Sequence, residues 1–380
     1  MKGFQIAIVR PPTENFSLSI STHAYCPWGK CAFCPSQLFD ERAQFERRSI
    51  EDVIEDINNA QKLDNMLLSG GKVSQSSIMN TFSNYPDLNH CVSHLAYWHL
   101  YSNASNAFIG GANPLLYKQE YLTKVLSYLK KSFPSITRIT SYGRTRTASK
   151  KGPEYFIALH NAGLDRIHVG LESGSDKVLD FVNKGVTSEQ HIKGGTNVKK
   201  GGISLCAYVM PGLGGKKWSE EHAVETARVI NELEPDFVRL RTLEIFPNTP
   251  LASKVERGEF QELTEEEIVK EERLLVENIT CNTTMTSDSA ANLLIEVWGD
   301  LPSDKKKILR VIDNYLALSP TEKIQFSLKR RVESYSSQYG GLSLEIVSRI
   351  ENLKTFPSNN DEYYEEMVDT IKYIRSQLIP

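Results

Sequence analysis

Short apolar runs rich in β-branched residues alternate with helical patterns through the middle of the chain. The helical patterns repeat apolar residues every three or four positions, and several end at a glycine. Strands are predicted over 106–111, 136–141, 166–172, 204–210 and 237–245, and helices over 117–133, 153–160, 176–183, 188–200 and 219–233. Consecutive strand–helix units are typical of parallel strands joined by crossover helices. The pattern therefore predicts an α/β protein with either a barrel or a doubly wound sheet.

Helices are also predicted on both sides of this region. Ser49 and Asp52 have the spacing of a capping box at the start of an apolar helical face. Beyond about Pro250 the strand pattern fades, and helices are predicted from the capping residue Thr264 onward and over 302–316, 320–333 and 361–378. We therefore predict two domains, a barrel over residues 1–255 and a helical C-terminal extension over residues 256–380.

The composition and charge exclude several classes of protein. Of the 380 residues, 40% are hydrophobic and 24% are charged, which is ordinary for a globular protein and not for a disordered, collagen-like or coiled-coil one. The 44 Lys and Arg residues against 47 Asp and Glu residues give a net charge of −3, so nothing indicates a nucleic-acid or membrane-surface partner. We find neither a signal-peptide core nor the roughly 20 apolar residues that a membrane helix needs, and we expect a cytoplasmic protein.

Half of the six cysteines lie in one loop before the first predicted helix. Cys26, Cys31 and Cys34 fall within nine residues, and soft ligands this close together suit a zinc ion or an iron–sulfur cluster. The other three cysteines, Cys91, Cys206 and Cys281, are far apart in sequence and are expected to be buried packing residues.

The loop alone leaves two kinds of metal site open. Three thiolates leave one iron of a 4Fe–4S cluster without a protein ligand, and that open coordination site is what a catalytic cluster needs. Alternatively, His23 completes a zinc site with the three cysteines, and the loop is then a structural staple in a binding or scaffold protein.

The cysteine loop, with Phe33 just before its last cysteine and repeated βα units after it, resembles the radical S-adenosylmethionine (SAM) superfamily. The family's common loop has three residues between its first two cysteines, whereas this loop has four. The strings Arg10-Pro-Pro, Cys26-Pro-Trp, Ser141-Tyr-Gly-Arg144 and Met210-Pro-Gly-Leu-Gly-Gly are similar to a group related to oxygen-independent coproporphyrinogen dehydrogenase. The resemblance implies a partial (β/α)6 barrel, with Cys26, Cys31 and Cys34 as ligands of a 4Fe–4S cluster.

The same resemblance implies a set of SAM-binding residues at the strand ends. Residues 108–115 match the glycine-rich segment that holds the methionyl amino group of SAM, 168–176 match the fourth-strand segment, and 208–215 match the turn near the adenine. The predicted cofactor-binding residues are Phe33, Gly110, Gly111, Ala112, Asn113, Ser141, Arg144, Glu172, Met210 and Pro211. Glu172 is expected to contact the ribose or amino group, and Arg144 to bind the SAM carboxylate through its guanidinium fork.

Strand alternation gives an inference that does not depend on the resemblance. Apolar residues occupy one side of the predicted strands, which turns His168, Glu172, Tyr208, Arg239 and Arg241 toward the barrel interior. Barrel interiors are usually filled with branched apolar side chains. A polar interior predicts a zwitterionic cofactor and a polar substrate that can carry an anionic group.

Each interior residue also has a structural explanation. Arg239 and Arg241, the substrate candidates, can form internal ion pairs, and His168 can be a hydrogen-bonded core histidine. Tyr208 and Cys206 are weak candidates for returning a hydrogen atom to a product radical, because burial for packing explains both.

The resemblance implies reductive cleavage of SAM to methionine and a 5′-deoxyadenosyl radical, which removes a hydrogen atom from a small-molecule substrate. The electron is expected from a flavodoxin- or ferredoxin-type donor. A second cysteine cluster and a cobalamin-binding segment before Cys26 are not expected from the sequence. Oxidation, decarboxylation or rearrangement is therefore favoured over methylation.

Overall fold

The computed structural model describes residues 1–7, 9–35, 44–356 and 361–378. The chain forms two compact units, each built from several segments. The first unit contains Met1–Gly29, Ser36–Gly170 and Glu189–Cys206, and the second contains Lys30–Pro35, Leu171–Ser188 and Ala207–Pro380. Segments of the two units alternate along the sequence. The domain boundary predicted at residue 255 stays a prediction.

The strands of the first unit form a parallel sheet. The first seven strands are β1 (Leu18–Ser21), β2 (His23–Ala24), β3 (Glu46–Arg47), β4 (Asn106–Gly110), β5 (Arg138–Gly143), β6 (Leu164–Glu172) and β7 (Ser204–Val209). Strands β1, β4, β5 and β6 are neighbours in this order and run parallel, whereas β2 and β3 form a separate antiparallel pair. Strands β6 and β7 both begin in the first unit and end in the second.

The register of the sheet brings three chain segments to one edge. Ser21 pairs with Gly110 and Ile109 pairs with Ser141, so β1, β4 and β5 end close together. Between β5 and β6 the register shifts at Ile139, after which Tyr142 pairs with His168. Because parallel strands end on the same edge of a sheet, the loops that follow β1, β4 and β5 converge there.

The helices confirm most of the sequence pattern. In chain order they are α1 (Ile50–Leu67), α2 (Gln75–Asn84), α3 (Asn89–Ser102), α4 (Gln119–Ser132), α5 (Thr145–Ala148), α6 (Pro153–Asn161), α7 (Asp176–Phe181), α8 (Ser188–Lys200), α9 (Gly215–Leu233), α10 (Pro250–Glu256), α11 (Glu265–Asn278), α12 (Lys305–Leu316), α13 (Pro320–Tyr339), α14 (Leu344–Leu353) and α15 (Asp361–Gln377). Capping boxes begin α1 at Ser49 and α11 at Thr264, as the spacing predicted. Parallel strands separated by helices confirm the α/β class.

The second unit contains strands that the sequence pattern did not predict. Its strands are β8 (Phe237–Leu240), which runs parallel to β9 (Thr283–Thr286), and β10 (Gly299–Leu301), which is antiparallel to β9. The expectation that only helices follow residue 250 is therefore wrong. The segments of β9 and β10 are short and rich in Thr, Gly and Asp, and they lack the β-branched apolar runs used to predict strands.

Strand β8 is also shorter than the predicted 237–245. After Leu240 the backbone N–H of Thr242 donates to the side-chain oxygen of Asn292 at 2.9 Å, so a side chain takes the place of a strand partner. The Asn292 amide donates in turn to the Leu240 carbonyl at 2.9 Å. Arg241 consequently lies beyond the end of the strand and not within it.

The C-terminal helices have their own small core within the second unit. Leu353, Met367 and Ile371 from α14 and α15 are buried together, with Leu328 of α13 packed against them. Arg375 of α15 pairs with Glu244, which follows β8, at 2.8 Å.

None of the helices in the described residues has the length and apolar character needed to span a membrane.

Candidate functional site

The cysteine loop contains three partly exposed cysteines, none of which is in a disulfide. Cys26 belongs to the first unit, and Cys31 and Cys34 belong to the second. The backbone N–H of Cys34 donates to the carbonyl of Cys31 at 3.2 Å, which closes a tight turn. Partly exposed cysteines outside disulfides suit the thiolate ligands of an iron–sulfur cluster. The described residues hold no preformed group of three or more His, Cys, Asp or Glu side chains, and the ligand set stays a prediction.

The second half of the loop is fixed by the apolar interior of the second unit. Ala32 and Phe33 are buried in a cluster that includes Val182, Leu213 and Leu251. The Ala32 N–H donates to the Val182 carbonyl at 2.8 Å, and its carbonyl accepts from the Leu251 N–H at 2.9 Å. Cys31 and Cys34 are only partly buried against this cluster. The alternation of buried and partly buried side chains in this segment therefore leaves both thiols partly exposed.

Glu172 ends β6 in a conformation that non-glycine residues rarely adopt, with a φ of 61°. Its Oε1 lies 2.8 Å from Nζ of Lys184, and its carbonyl accepts from the Met210 N–H at 3.0 Å. Nζ of Lys184 is also 5.6 Å from the centre of the Phe33 ring. Three predicted cofactor residues of the second unit, Phe33, Glu172 and Met210, are thus linked through direct contacts and Lys184.

The turn at Met210 and Pro211, the predicted adenine-binding turn, is held by a buried carboxylate. Oε1 of Glu271 accepts from the Gly212 N–H at 2.6 Å, and Oε2 accepts from the Ser219 hydroxyl at 2.5 Å. His222 lies 3.6 Å from the same carboxylate. Burial raises the pKa of Glu271, while His222 opposes this shift. No local pattern pointed to Glu271, because it lies 59 residues after Gly212 in the chain.

His222 joins this turn to the loop after Glu172. Its Nδ1 lies 2.8 Å from the Ser173 hydroxyl, and its Nε2 lies 3.1 Å from the Met210 carbonyl. The Gly174 N–H donates to the Thr226 hydroxyl of the same helix, α9, at 2.8 Å. Contacts from α9 and α11 therefore fix both the loop after Glu172 and the turn at Met210.

Gly110 and Gly111 are required by the protein's own packing. A Cβ atom at Gly110 would overlap with Ala7, and one at Gly111 would overlap with the ring of His23. Gly111 also has a φ of +112°, in the region that favours glycine. Of the neighbouring predicted residues, Ala112 is exposed and Ser141 is buried, with its hydroxyl donating to the Ile109 carbonyl at 2.9 Å.

Asn113 connects the loops that follow β4 and β5. Its side-chain oxygen accepts from the Arg144 N–H at 3.0 Å, and its amide donates to the Thr147 hydroxyl at 2.9 Å. Asn113 is buried, so these bonds fix both loops at the carboxyl edge of the sheet. Its side-chain role is structural, and its backbone N–H donates to His23.

Both ring nitrogens of His23 have partners within the first unit. Nε2 accepts from the Asn113 N–H at 3.2 Å, and Nδ1 lies 3.1 Å from the Thr22 hydroxyl. Burial, with a smaller contribution from Arg47, lowers the pKa of His23 to about 4. A zinc ligand must have a nitrogen lone pair available. The alternative of a zinc staple completed by His23 is therefore not supported.

The predicted interior residues lie in different environments. His168 is fully buried, with Nε2 3.8 Å from the Glu14 carboxylate in the first unit. In the second unit Arg239 forms an ion pair with Asp288. The Arg239 contact matches the internal ion pair given as its structural explanation. Cys206 is also fully buried.

Arg241 has a different kind of neighbour. Its guanidinium carbon lies 5.2 Å from the centre of the Tyr208 ring, and both residues belong to the second unit. Strand alternation had placed these two side chains on one face. Among the described residues Arg241 forms no ion pair with a carboxylate.

The first unit contains a basic cavity of about 390 Å³ next to the cysteine loop. We use this name for the space lined by Pro27, Trp28, Asn113, Leu115, Leu116, Arg144, Arg146, Thr147, Lys150 and Lys151. Four of these side chains are cationic and none is acidic. Of the residues that line this cavity, only Asn113 and Arg144 had been predicted as site residues. The run of cations after the end of β5 could have indicated the others.

Three cysteines clustered in one loop of an α/β fold suit an iron–sulfur cofactor. Residues 84–227 match the sequence profile of the radical SAM superfamily. This part of the chain therefore matches a radical SAM domain, and the cofactors of that superfamily are a 4Fe–4S cluster and SAM.

Individual relatives match shorter parts of the chain. Biotin synthase of Hydrogenobaculum sp. is 34% identical over 105 residues, which are 28% of this chain and 30% of that protein. The heme chaperone HemW of Buchnera aphidicola is 25% identical over 175 residues, covering 46% of this chain and 45% of that one. The chain thus matches less than half the length of these relatives.

Solved structures are similar over a larger share of the chain. The radical SAM methyltransferase TsrM of Kitasatospora setae, with cobalamin and a 4Fe–4S cluster bound, has a TM-score of 0.44 and 14% sequence identity. The match covers 64% of this chain and 39% of that protein.

Proposed function

We propose that this radical SAM enzyme holds its 4Fe–4S cluster on Cys26, Cys31 and Cys34 and abstracts hydrogen from a polar, anionic small molecule. The observation that carries the proposal is the loop of three clustered, partly exposed cysteines, in a chain of which residues 84–227 match the family profile. When bound, the cluster and SAM supply a 5′-deoxyadenosyl radical. The narrower relation to oxygen-independent coproporphyrinogen dehydrogenase stays a prediction.

The residues of the second unit have distinct proposed tasks in holding SAM. Phe33 fixes the end of the cysteine loop through burial in the apolar cluster. Glu172, oriented by Lys184, binds the ribose hydroxyls or the amino group. The backbone of Met210 and Pro211 lies against the adenine, and Glu271 keeps this turn in place.

The glycine-rich loop of the first unit has the proposed task of binding the methionyl amino group through its backbone. Gly111 allows this loop to turn tightly over His23, and Asn113 fixes its end. Gly110 and Ser141 support the loop from within the sheet, and Ala112 presents its backbone at the exposed side.

An anionic substrate is supported by Arg241. A half-buried guanidinium that is stacked on Tyr208 and has no carboxylate partner among the described residues is available to an anionic group. Arg239 and His168 are weaker substrate candidates, since each has an acidic neighbour. Tyr208 is close enough to Arg241 to lie beside the same substrate, whereas Cys206 is fully buried.

The reaction class is argued from the cysteines outside the loop. The remaining cysteines, Cys91, Cys206 and Cys281, are all buried, which favours packing roles over ligation of a second cluster. We therefore favour oxidation, decarboxylation or rearrangement over methylation. The electron would come from a flavodoxin- or ferredoxin-type protein.

Single cysteine substitutions test the ligand assignment. Cys26→Ser, Cys31→Ser and Cys34→Ser should each bind much less iron and sulfide after anaerobic reconstitution, because serine oxygen is a poor ligand for the cluster. Cys281→Ser is the matched control and should keep the iron content of the unaltered protein. Full iron content in the Cys31 variant would remove that residue from the ligand set.

A further inference from the structure

The basic cavity has the composition of an anion-binding site. Arg144, Arg146, Lys150 and Lys151 line it, and no carboxylate is among the lining residues that the structure describes. Four positive charges around one space repel each other, and the repulsion is relieved when an anion binds between them. The lining is also mixed in character, since Leu115 and Leu116 add an apolar wall to the cations. Such a wall and a few charged groups are typical of small-molecule sites.

Two of the four cations are oriented before any ligand binds. The guanidinium carbons of Arg144 and Arg146 lie 5.0 Å and 5.3 Å from the centre of the Trp28 ring. Cation–π contact at this distance holds a guanidinium in place. A preoriented guanidinium loses less side-chain freedom when it binds an anion, and its planar fork matches the oxygens of phosphate or carboxylate.

The backbone that carries these cations is also fixed. Asn113 bonds to the Arg144 N–H and to the Thr147 hydroxyl, at 3.0 Å and 2.9 Å. The side-chain amide of Asn197 donates to the Lys151 carbonyl at 2.7 Å. Bonds at both ends of α5 therefore keep residues 144–151 in one arrangement.

Lys150 and Lys151 are the other two cations that line the basic cavity. Neither Lys150 nor Lys151 forms an ion pair with a carboxylate of the described residues. Nζ of Lys151 donates to the Tyr117 carbonyl at 3.3 Å and lies 3.9 Å from the centre of the Tyr155 ring. Lys150 is exposed and free to reach an anion at the mouth of the cavity.

We propose that the basic cavity binds the phosphate group of a phosphorylated small molecule, which is the substrate of the enzyme. A phosphate dianion with three acceptor oxygens uses the four cations more fully than a single carboxylate does. Calling this molecule the substrate rests on the proposed function, whereas the anion site does not. The proposal assigns Arg144 to this cavity in place of the SAM carboxylate.

Calorimetric titration of the reconstituted full chain with inorganic phosphate tests the anion site, with succinate as the carboxylate probe. We expect saturable phosphate binding that is about tenfold tighter than succinate binding. Arg146→Gln and Lys150→Gln should each raise the phosphate Kd about tenfold. Lys306→Gln, an exposed lysine on α12, is the matched control and should leave the Kd unchanged. Circular dichroism melting confirms that each variant is folded.

Three results would overturn the proposal: no saturable phosphate binding, equal or tighter succinate binding, or no change of the Kd in the Arg146 and Lys150 variants. The same preparation is assayed for SAM cleavage. Phosphate binding without SAM cleavage contradicts the proposed function and leaves the anion site in place. SAM cleavage without phosphate binding contradicts only the anion site.

Discussion

Nζ of Lys184 lies 2.8 Å from Oε1 of Glu172, and both side chains are largely buried. This pair stands at the carboxyl end of β6, where Glu172 has a positive φ. A buried ion pair can serve only to neutralise two charges, or it can orient a carboxylate whose other oxygen binds a ligand. The two roles differ in what happens to SAM binding when one partner is removed.

Replacing Glu172 separates these roles. Glu172→Gln should weaken SAM binding about tenfold or more, because a hydrogen bond to a charged group is worth about 1.5–3 kcal/mol. Lys184→Gln removes the orienting charge and should have a smaller effect on SAM affinity. Equilibrium binding of SAM to the reconstituted protein measures both. Unchanged SAM affinity in the Glu172 variant would show that Glu172 serves only in an internal ion pair.

Substitution of His23 distinguishes its structural role from metal ligation. His23→Ala should keep the metal content of the protein but lower its stability by about 1–3 kcal/mol, since the buried Asn113 N–H loses its acceptor. Iron and zinc analysis and thermal unfolding provide the two readouts. A loss of bound metal comparable to that of Cys26→Ser would support the zinc site instead.

Glu271 should contribute to stability and to SAM affinity together. Glu271→Ala leaves the Gly212 N–H and the Ser219 hydroxyl without their acceptor, at a cost of about 2–4 kcal/mol. Glu271→Gln should recover part of this loss, since its amide oxygen can still accept from Gly212. Urea unfolding and SAM binding are the measurements. An unchanged unfolding midpoint in the alanine variant would show that the turn does not depend on this carboxylate.

Glu272 should make the stability of the protein fall as the pH rises. Burial, and then the neighbouring Glu271, raise the pKa of Glu272 from 4.5 to about 8. Between pH 4.5 and about 8, the Glu272 carboxyl keeps its proton in the folded state but has lost it in the unfolded state. The free energy of unfolding therefore falls in this range by up to about 1.4 kcal/mol per pH unit. Glu272→Gln should make the unfolding midpoint depend less on pH between pH 5 and 8.

Glu256→Gln is the control for this measurement, because Glu256 is exposed. Its pH profile should match that of the unaltered protein. A Glu272→Gln profile with the original slope would place the pH dependence in another group.

Local sequence patterns were sufficient for most of the fold. The helix predicted over 188–200 and the capping boxes at Ser49 and Thr264 were confirmed, because amphipathic spacing and caps depend on neighbours in sequence. Strands β9 and β10 were missed because they are short and lack apolar runs, and β9 also pairs with β8, which lies more than 40 residues earlier. The end of β8 was misplaced for the same reason, since Asn292 lies about 50 residues away.

The candidate site was predictable only where residue type alone suggested chemistry. The three clustered cysteines could be found in this way. The partners of the charged interior residues could not, because Asp288 and Glu14 are distant in sequence from Arg239 and His168. Glycines were also ambiguous: Gly110 and Gly111 were assigned to a ligand, and the structure shows that Ala7 and His23 already require them.

Anaerobic reconstitution with iron and sulfide, followed by reduction in the presence of SAM, tests whether the cysteine loop holds a cluster that cleaves SAM. We expect one 4Fe–4S cluster per chain and release of 5′-deoxyadenosine, with neither in the Cys26→Ser, Cys31→Ser and Cys34→Ser variants. Stoichiometric zinc, no visible absorption of a cluster and no 5′-deoxyadenosine from the unaltered protein would contradict it.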